Sequence, residues 1–183
     1  LESYGANTVT YTALIASCIL APPASILMAI YSHKLITIQE QLHELATTDP
    51  LTGLLNRRAF AYRYERESAR YSRTNRPIAL LLIDLDYFKL INDRYGHAAG
   101  DAALRVLSDH LRTTSRFGTD DVARWGGEEF AVLLSDSGHQ SGIRAAERLR
   151  RQIETLPVNF NSTTIRLQAS VGMVVCRKGE ALE

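Results

Sequence analysis

The chain has 183 residues, 45% of them hydrophobic and 22% charged, a composition that suits one folded domain with an appendage and excludes a disordered tail or a low-complexity linker. Its 21 Lys and Arg against 20 Asp and Glu leave a net charge of +1, which gives no support to nucleic-acid binding through bulk positive charge. Two distant cysteines, Cys18 and Cys176, exclude a disulfide scaffold and a thiolate zinc site.

The average hides an asymmetry: between Glu2 and His33 no residue is charged. A bilayer core about 30 Å thick takes roughly 20 apolar residues of helix to cross, and Val9–Tyr31 is long enough to span once. Pro22 and Pro23 in its middle lack N–H donors and kink such a helix, so partner helices are expected to satisfy the freed carbonyls. A cleavable leader fits less well, because His33 and Lys34 follow the apolar run instead of preceding it. The same charges and the Arg-rich remainder put the carboxyl side in the cytoplasm. The competing reading is a buried helix hairpin broken at the proline pair. A chain that does not start with Met is expected to be a piece of a longer protein.

Residues 1–33 are thus read as a transmembrane segment and 34–48 as a linker. In the linker, Leu35, Ile38, Leu42 and Leu45 recur at helical spacing, a short seam that suits pairing with a second copy or packing on its own domain. Asp49-Pro50 breaks that helix and opens a globular domain over 49–183. Asn56 can cap a helix from Arg57 to about Arg73, with Phe60, Tyr64 and Tyr71 facing the core. The apolar run Ile78–Leu85 reads as a buried strand. A short helix over Lys89–Tyr95 and a longer one from Asp101 to about Thr113 follow, the latter with Leu104, Leu107 and Leu111 on one face.

Val122–Trp125 and Phe130–Leu134 read as strands joined by Gly126-Gly127-Glu128-Glu129, since a glycine pair between apolar runs is a hairpin signal. Gln140–Leu156 is an amphipathic helix on Ile143, Ala146, Leu149, Ile153 and Leu156, and Thr164–Cys176 is a last strand. Helices alternating with apolar strands make the class α/β around one central sheet.

Carboxylates gather at two strand ends. In Asp84-Leu85-Asp86, period-two alternation aims both aspartates to one side of the sheet as the buried strand finishes. Glu128 and Glu129 sit beside two glycines that let a ligand approach the backbone. Crowded carboxylates repel unless a cation intervenes, and hard oxygen donors suit Mg²⁺, which takes one or two carboxylates with waters and phosphate oxygens. The reaction class is metal-assisted phosphoryl or nucleotidyl transfer. Each motif alone is commonplace in turns. Together with Phe88, Lys89, Asn92, Asp93, Gly96, His97, Gly100 and Asp101 they form a denser polar inventory than a connecting loop needs.

These residues resemble the GGDEF-domain diguanylate cyclases, the bacterial family that condenses two GTP into cyclic di-GMP. The matching motifs are Asp49-Pro50-Leu51-Thr52-Gly53-Leu54-Leu55-Asn56-Arg57-Arg58, then Asp84-Leu85-Asp86-Tyr87-Phe88-Lys89 through Asn92-Asp93, Gly96-His97 and Gly100-Asp101 to Leu104, and finally Arg124-Trp125-Gly126-Gly127-Glu128-Glu129-Phe130. The resemblance implies a mostly antiparallel central sheet flanked by helices, of the nucleotidyl-cyclase or polymerase-palm kind. It implies that Asp84, the Leu85 carbonyl and Glu128 hold Mg²⁺, with Mn²⁺ a possible substitute, and that Glu128 and Glu129 are catalytic. Asn92 and Asp101 would read the guanine edge with His97 beside them. Lys89 and the backbone at Tyr87–Phe88 would contact phosphates, and Gly126 and Gly127 would leave room for base and sugar. The side-chain inventory agrees, because Asp accepts from guanine N1–H and N2–H₂ while Asn donates to the purine acceptors. The implied partners are GTP, a second copy of the chain and a lipid bilayer through residues 9–31, with no nucleic acid, at the bacterial inner membrane with the catalytic domain in the cytoplasm.

Two departures from the family pattern carry expectations. An inhibitory product site, Arg-x-x-Asp ending five residues before the glycine pair, has Asp120 in place but Phe117 where the Arg belongs, with Arg116 one residue out of step. Weak or absent product inhibition is expected. The family also continues into a closing helix with phosphate-holding basic residues, whereas this sequence stops at Glu183, so poor turnover is expected. The alternatives are a non-catalytic regulator that binds GTP or cyclic di-GMP, and another nucleotidyl transferase with a palm-like sheet.

Overall fold

The computed structural model describes residues 25–34, 47–116 and 119–176. The chain divides into two units, Leu1–Ala46 and Thr47–Glu183. In the first, residues 25–34 form helix α1, whose Ile26, Leu27, Met28, Ile30 and Tyr31 are all exposed. Among the described residues no helix is long and apolar enough to cross a membrane. The remainder of the expected span and the seam at Leu35, Ile38, Leu42 and Leu45 lie outside the described residues.

The second unit runs β1 (Leu55–Asn56), α2 (Arg57–Thr74), β2 (Ala79–Leu85), α3 (Phe88–Tyr95), α4 (His97–Thr114), β3 (Asp121–Gly126), β4 (Glu129–Leu134), α5 (His139–Thr155), β5 (Pro157–Phe160), β6 (Thr163–Arg166) and β7 (Ala169–Val175). Five strands form a mixed sheet in the order β1-β3-β4-β2-β7, with β1 parallel to β3 and the other neighbours antiparallel. β5 and β6 make a separate two-stranded sheet.

Local chemistry sets these elements. The Asn56 side chain accepts the Ala59 N–H and caps α2, and Asn75 in the left-handed region ends it. β2 is hydrogen-bonded on both sides, which its apolar sequence suits. Its Leu81, Ile83 and Leu85 face a core built with Leu104, Leu107 and Leu111 of α4 and Leu149 and Ile153 of α5. A smaller cluster on the other face packs Phe60 and Tyr64 of α2 against Leu80, Ala131 and Leu133.

Four expectations change. The last strand divides: Thr163–Arg166 pairs with Pro157–Phe160, and only Ala169–Val175 joins the main sheet. Asn161, at φ 51°, makes the tight turn between β5 and β6. α4 starts at His97 instead of Asp101, because Gly96 at φ 85° ends α3 and turns straight into the next helix. The buried side of α5 runs through Gly142, Ala145, Leu149 and Ile153, and Ile143 is exposed. Gly142 makes that face possible, since a Cβ there would stand 3.1 Å from Met173 Sδ and 3.2 Å from Ala79 Cβ. The two-residue β1 was not expected at all.

Candidate active site

β2 delivers Asp84 to the end of the sheet, in register with Glu129 on β4 and with Ser170 on β7. These three side chains therefore share one face, while Leu85 between the aspartates is buried in the core. Ser170 Oγ donates to Asp86 Oδ1 at 2.8 Å, and the Asp86 N–H donates to the Gln168 carbonyl at 2.9 Å. Burial first, then the charges of Glu128 and Asp86, push the Asp84 carboxyl above the usual carboxylate value. Asp84 and Glu128 are thus close enough to feel one another. Among the described residues, no group of three or more His, Cys, Asp or Glu side chains forms a ready metal cage. Two carboxylates with a backbone carbonyl still match a hard cation that keeps waters and phosphate oxygens in its shell.

The signature hairpin differs in detail from its expected form. Gly126 is the last residue of β3 and pairs with Glu129, after an irregularity between Arg124 and Gly126. The turn is Gly127-Glu128, and of the two glycines only Gly127 has a positive φ, 51°. Glu128 therefore stands at the tip. Arg124 holds the tip in place: Nε and Nη2 donate to the Gly127 carbonyl at 2.9 and 2.8 Å, and Nη1 donates to Asp49 Oδ1 and Oδ2 at 3.2 and 3.3 Å. Asp49 also accepts the Thr52 N–H and hydroxyl at 2.9 and 2.7 Å. Burial alone would raise the Asp49 carboxyl, but the Thr52 hydrogen bonds and Arg124 together hold it below the usual range. At the hairpin base the Arg57 guanidinium lies 4.7 Å from the centre of the Trp125 ring, and Phe60 meets that ring edge-on at 6.0 Å.

The expected substrate residues lie on α3 and α4. Tyr87, at φ 58°, starts α3 from the left-handed region, a sparsely populated state for a residue with a side chain, and its carbonyl accepts the Leu90 N–H at 2.9 Å. Phe88 is buried, Lys89 is exposed on α3, and His97 is exposed at the start of α4. Asn92 on α3 lies against Gly100 of α4, next to the half-buried Asp101.

At the expected product site, Arg116 and Asp120 bond to each other. Arg116 Nε and Nη2 donate to the Asp120 carboxylate at 3.1 and 2.8 Å, and Nη2 also reaches the Ser135 carbonyl at 2.7 Å. Phe117 lies outside the described residues.

Three residues have a hold on the site that the sequence does not assign to them. Arg124 stands two residues before the glycine pair, where a cation within reach of the hairpin carbonyls could have been suspected. In the sequence Asp49 breaks a helix and opens the Asp49–Arg58 motif, and neither feature points to Arg124. Ser170 gave no signal beyond its place in an alternating strand.

Residues 46–183 match the model of the GGDEF domain of diguanylate cyclases. The chain is 41% identical over 144 residues to the diguanylate cyclase DgcP of Pseudomonas aeruginosa, covering 79% of this chain and 21% of that protein. It is 39% identical over 140 residues to the probable diguanylate cyclase DgcC of Escherichia coli, covering 76% of this chain and 37% of that protein. The chain thus spans well under half the length of these relatives. Among solved structures, the diguanylate cyclase SiaD of Pseudomonas aeruginosa, determined in complex with its activator SiaC, superposes with a TM-score of 0.70 at 30% identity, covering 98% of this chain and 69% of that one.

Proposed function

The chain belongs to the GGDEF family of diguanylate cyclases, and we propose that it condenses two GTP into cyclic di-GMP with release of two pyrophosphates. The observation that carries this reading is the placement of Asp84 at the end of β2 within reach of the Glu128 charge, where burial first and then Glu128 and Asp86 raise the Asp84 carboxyl, a penalty that a bound cation relieves. In each half-reaction the 3′-oxygen of one GTP bonds to the α-phosphorus of the other. The bond from that phosphorus to the bridging oxygen breaks, pyrophosphate leaves with its electron pair, and the hydroxyl proton is lost.

Asp84, the Leu85 carbonyl and Glu128 would hold Mg²⁺, or Mn²⁺ in its place. When bound, the ion supplies charge neutralisation at the α-phosphate and acidifies the attacking hydroxyl. Glu128, at the tip of the turn, is the carboxylate nearest the departing proton, and Glu129 supports it from β4. Asn92 and Asp101 read guanine, with His97 beside them. Lys89 and the backbone at Tyr87–Phe88 meet the phosphates, where the start of α3 favours negative charge. Gly126 and Gly127 give base and sugar access to the hairpin.

Each domain carries one nucleotide site, so two copies must face each other, and a homodimer is the working unit. Residues 9–31 tether that dimer to the bacterial inner membrane with the catalytic domain in the cytoplasm. The apolar composition of this stretch and the exposed Ile26, Leu27, Met28, Ile30 and Tyr31 of α1 support the tether.

The test is chromatography of the products after incubation with GTP and Mg²⁺. Cyclic di-GMP from the wild type and none from Glu128→Ala supports the reading. GTP binding without product from the wild type would assign a non-catalytic regulator instead.

A further inference from the structure

Gly100 sits inside α4, where glycine is a poorer helix former than alanine. Its backbone does not call for glycine, because its φ lies outside the left-handed region, unlike that of Gly96, at 85°. What calls for glycine is space. A Cβ at Gly100 would overlap Asn92 Oδ1, and would stand 3.0 Å from Asn92 Cγ and 3.1 Å from Phe88 Cζ, whereas a Cβ at Gly96 meets nothing within 4 Å. The two glycines of one short segment thus do different work: Gly96 turns the chain and Gly100 makes room.

We propose that Gly100 is a positioning residue for guanine recognition: its bare Cα is the surface on which the Asn92 amide is laid, beside Phe88. The proposal rests on the reading of Asn92 and Asp101 as the guanine-reading pair. α3 and α4 are joined only through Gly96, so the helices are close where they meet, and the Asn92 side chain fills the gap between them. Packing restricts its rotamers and fixes where its donors point. Asp101 follows Gly100 directly on α4, so the base is met from both helices. A methyl group at position 100 drives Asn92 to another rotamer, and a hydrogen bond displaced by an ångström is lost.

The test is a double-mutant cycle on the full chain with Gly100→Ala, Asn92→Ala and the pair. The probe is a GTP analogue with a methylene group between the α and β phosphates, whose bridge cannot be cleaved, and steady-state turnover of GTP is followed beside it. Gly100→Ala is expected to weaken analogue binding and raise KM about tenfold, the size of a lost hydrogen bond, with kcat at saturating GTP little changed. Asn92→Ala should weaken binding by a similar factor, and the double variant should bind no worse than Asn92→Ala alone. Wild-type affinity in Gly100→Ala beside weakened Asn92→Ala overturns the positioning role and leaves the guanine reading standing. Unchanged affinity in Asn92→Ala overturns the guanine reading itself, and the positioning role with it. Additive losses in the double variant, or unfolding of Gly100→Ala that Asn92→Ala does not rescue, would show that Gly100 acts on the fold and not through Asn92.

Discussion

Arg124 shows how one side chain can fix a site that it does not enter. Its guanidinium joins the Gly127 carbonyl at the hairpin tip to Asp49 at the start of the domain, and both ends of that pair are largely buried. The planar fork suits this three-way hold, which an ammonium cannot reproduce. Arg124→Lys should lower kcat by about ten- to a hundredfold, the range set by lost charge-assisted hydrogen bonds, with KM for GTP moving less; equal losses in kcat and affinity would refute the positioning role. Asp49 makes the arrangement pH-dependent. With its carboxyl held below the ordinary 3.8, it stabilises the fold at pH values above 3.8, and that contribution is lost as the pH falls through the lowered native value. The difference in thermal midpoint between wild type and Asp49→Asn should therefore be full near neutrality and vanish in the acid range. At this scale the sequence was legible wherever chemistry repeats at a fixed spacing, as with Asp84 and Asp86. It was not legible for Arg124 and Asp49, which lie 75 residues apart and meet only because β1 pairs beside β3.

Among the elements, the signature hairpin carries the clearest structural demand. Only Gly127 has a positive φ there, so the two glycines are not equivalent. Gly127→Ala should cost about 1–2 kcal/mol through backbone strain alone, seen as a lower thermal midpoint. Gly126→Ala, whose Cβ would meet only Glu129 Oε2, at 4.0 Å, should leave the midpoint nearly unchanged. The long periodic helices and the buried β2 could be read directly, since each repeats its pattern over many residues. The β5–β6 hairpin could not, because Leu167 and Gln168 between β6 and β7 carry no Gly or Pro to mark the break. The phase of α5 departs from its hydrophobicity pattern for a packing reason: Gly142 faces β2 and β7 because it is small, whereas the pattern assigns that face to Ile143.

For the whole molecule, the Arg116–Asp120 pair bears on regulation. Arg116 clasps Asp120 and the Ser135 carbonyl, linking the end of α4 to the end of β4. The Nε and Nη2 donors would have to leave these partners to meet a phosphate. Cyclic di-GMP should therefore inhibit turnover weakly, and Arg116→Ala should lower the thermal midpoint without changing the inhibition curve. Tight product binding that Arg116→Ala abolishes would refute this. The near-zero net charge is consistent with a site that meets its triphosphate through a shared cation, with no need of a broad basic field.

The placement of β2 has a consequence in time as well as in space. Asp84 rides a strand bonded to β4 on one side and β7 on the other, whereas Glu128 rides a two-residue turn held by one arginine. The backbone amides of residues 80–83 should exchange with deuterium only on global opening, while those of the turn exchange through small local openings. Addition of Mg²⁺ with GTP, the cation held between the two carboxylates, should slow exchange at the turn and leave β2 unchanged. The site then joins a fixed wall to a yielding finger.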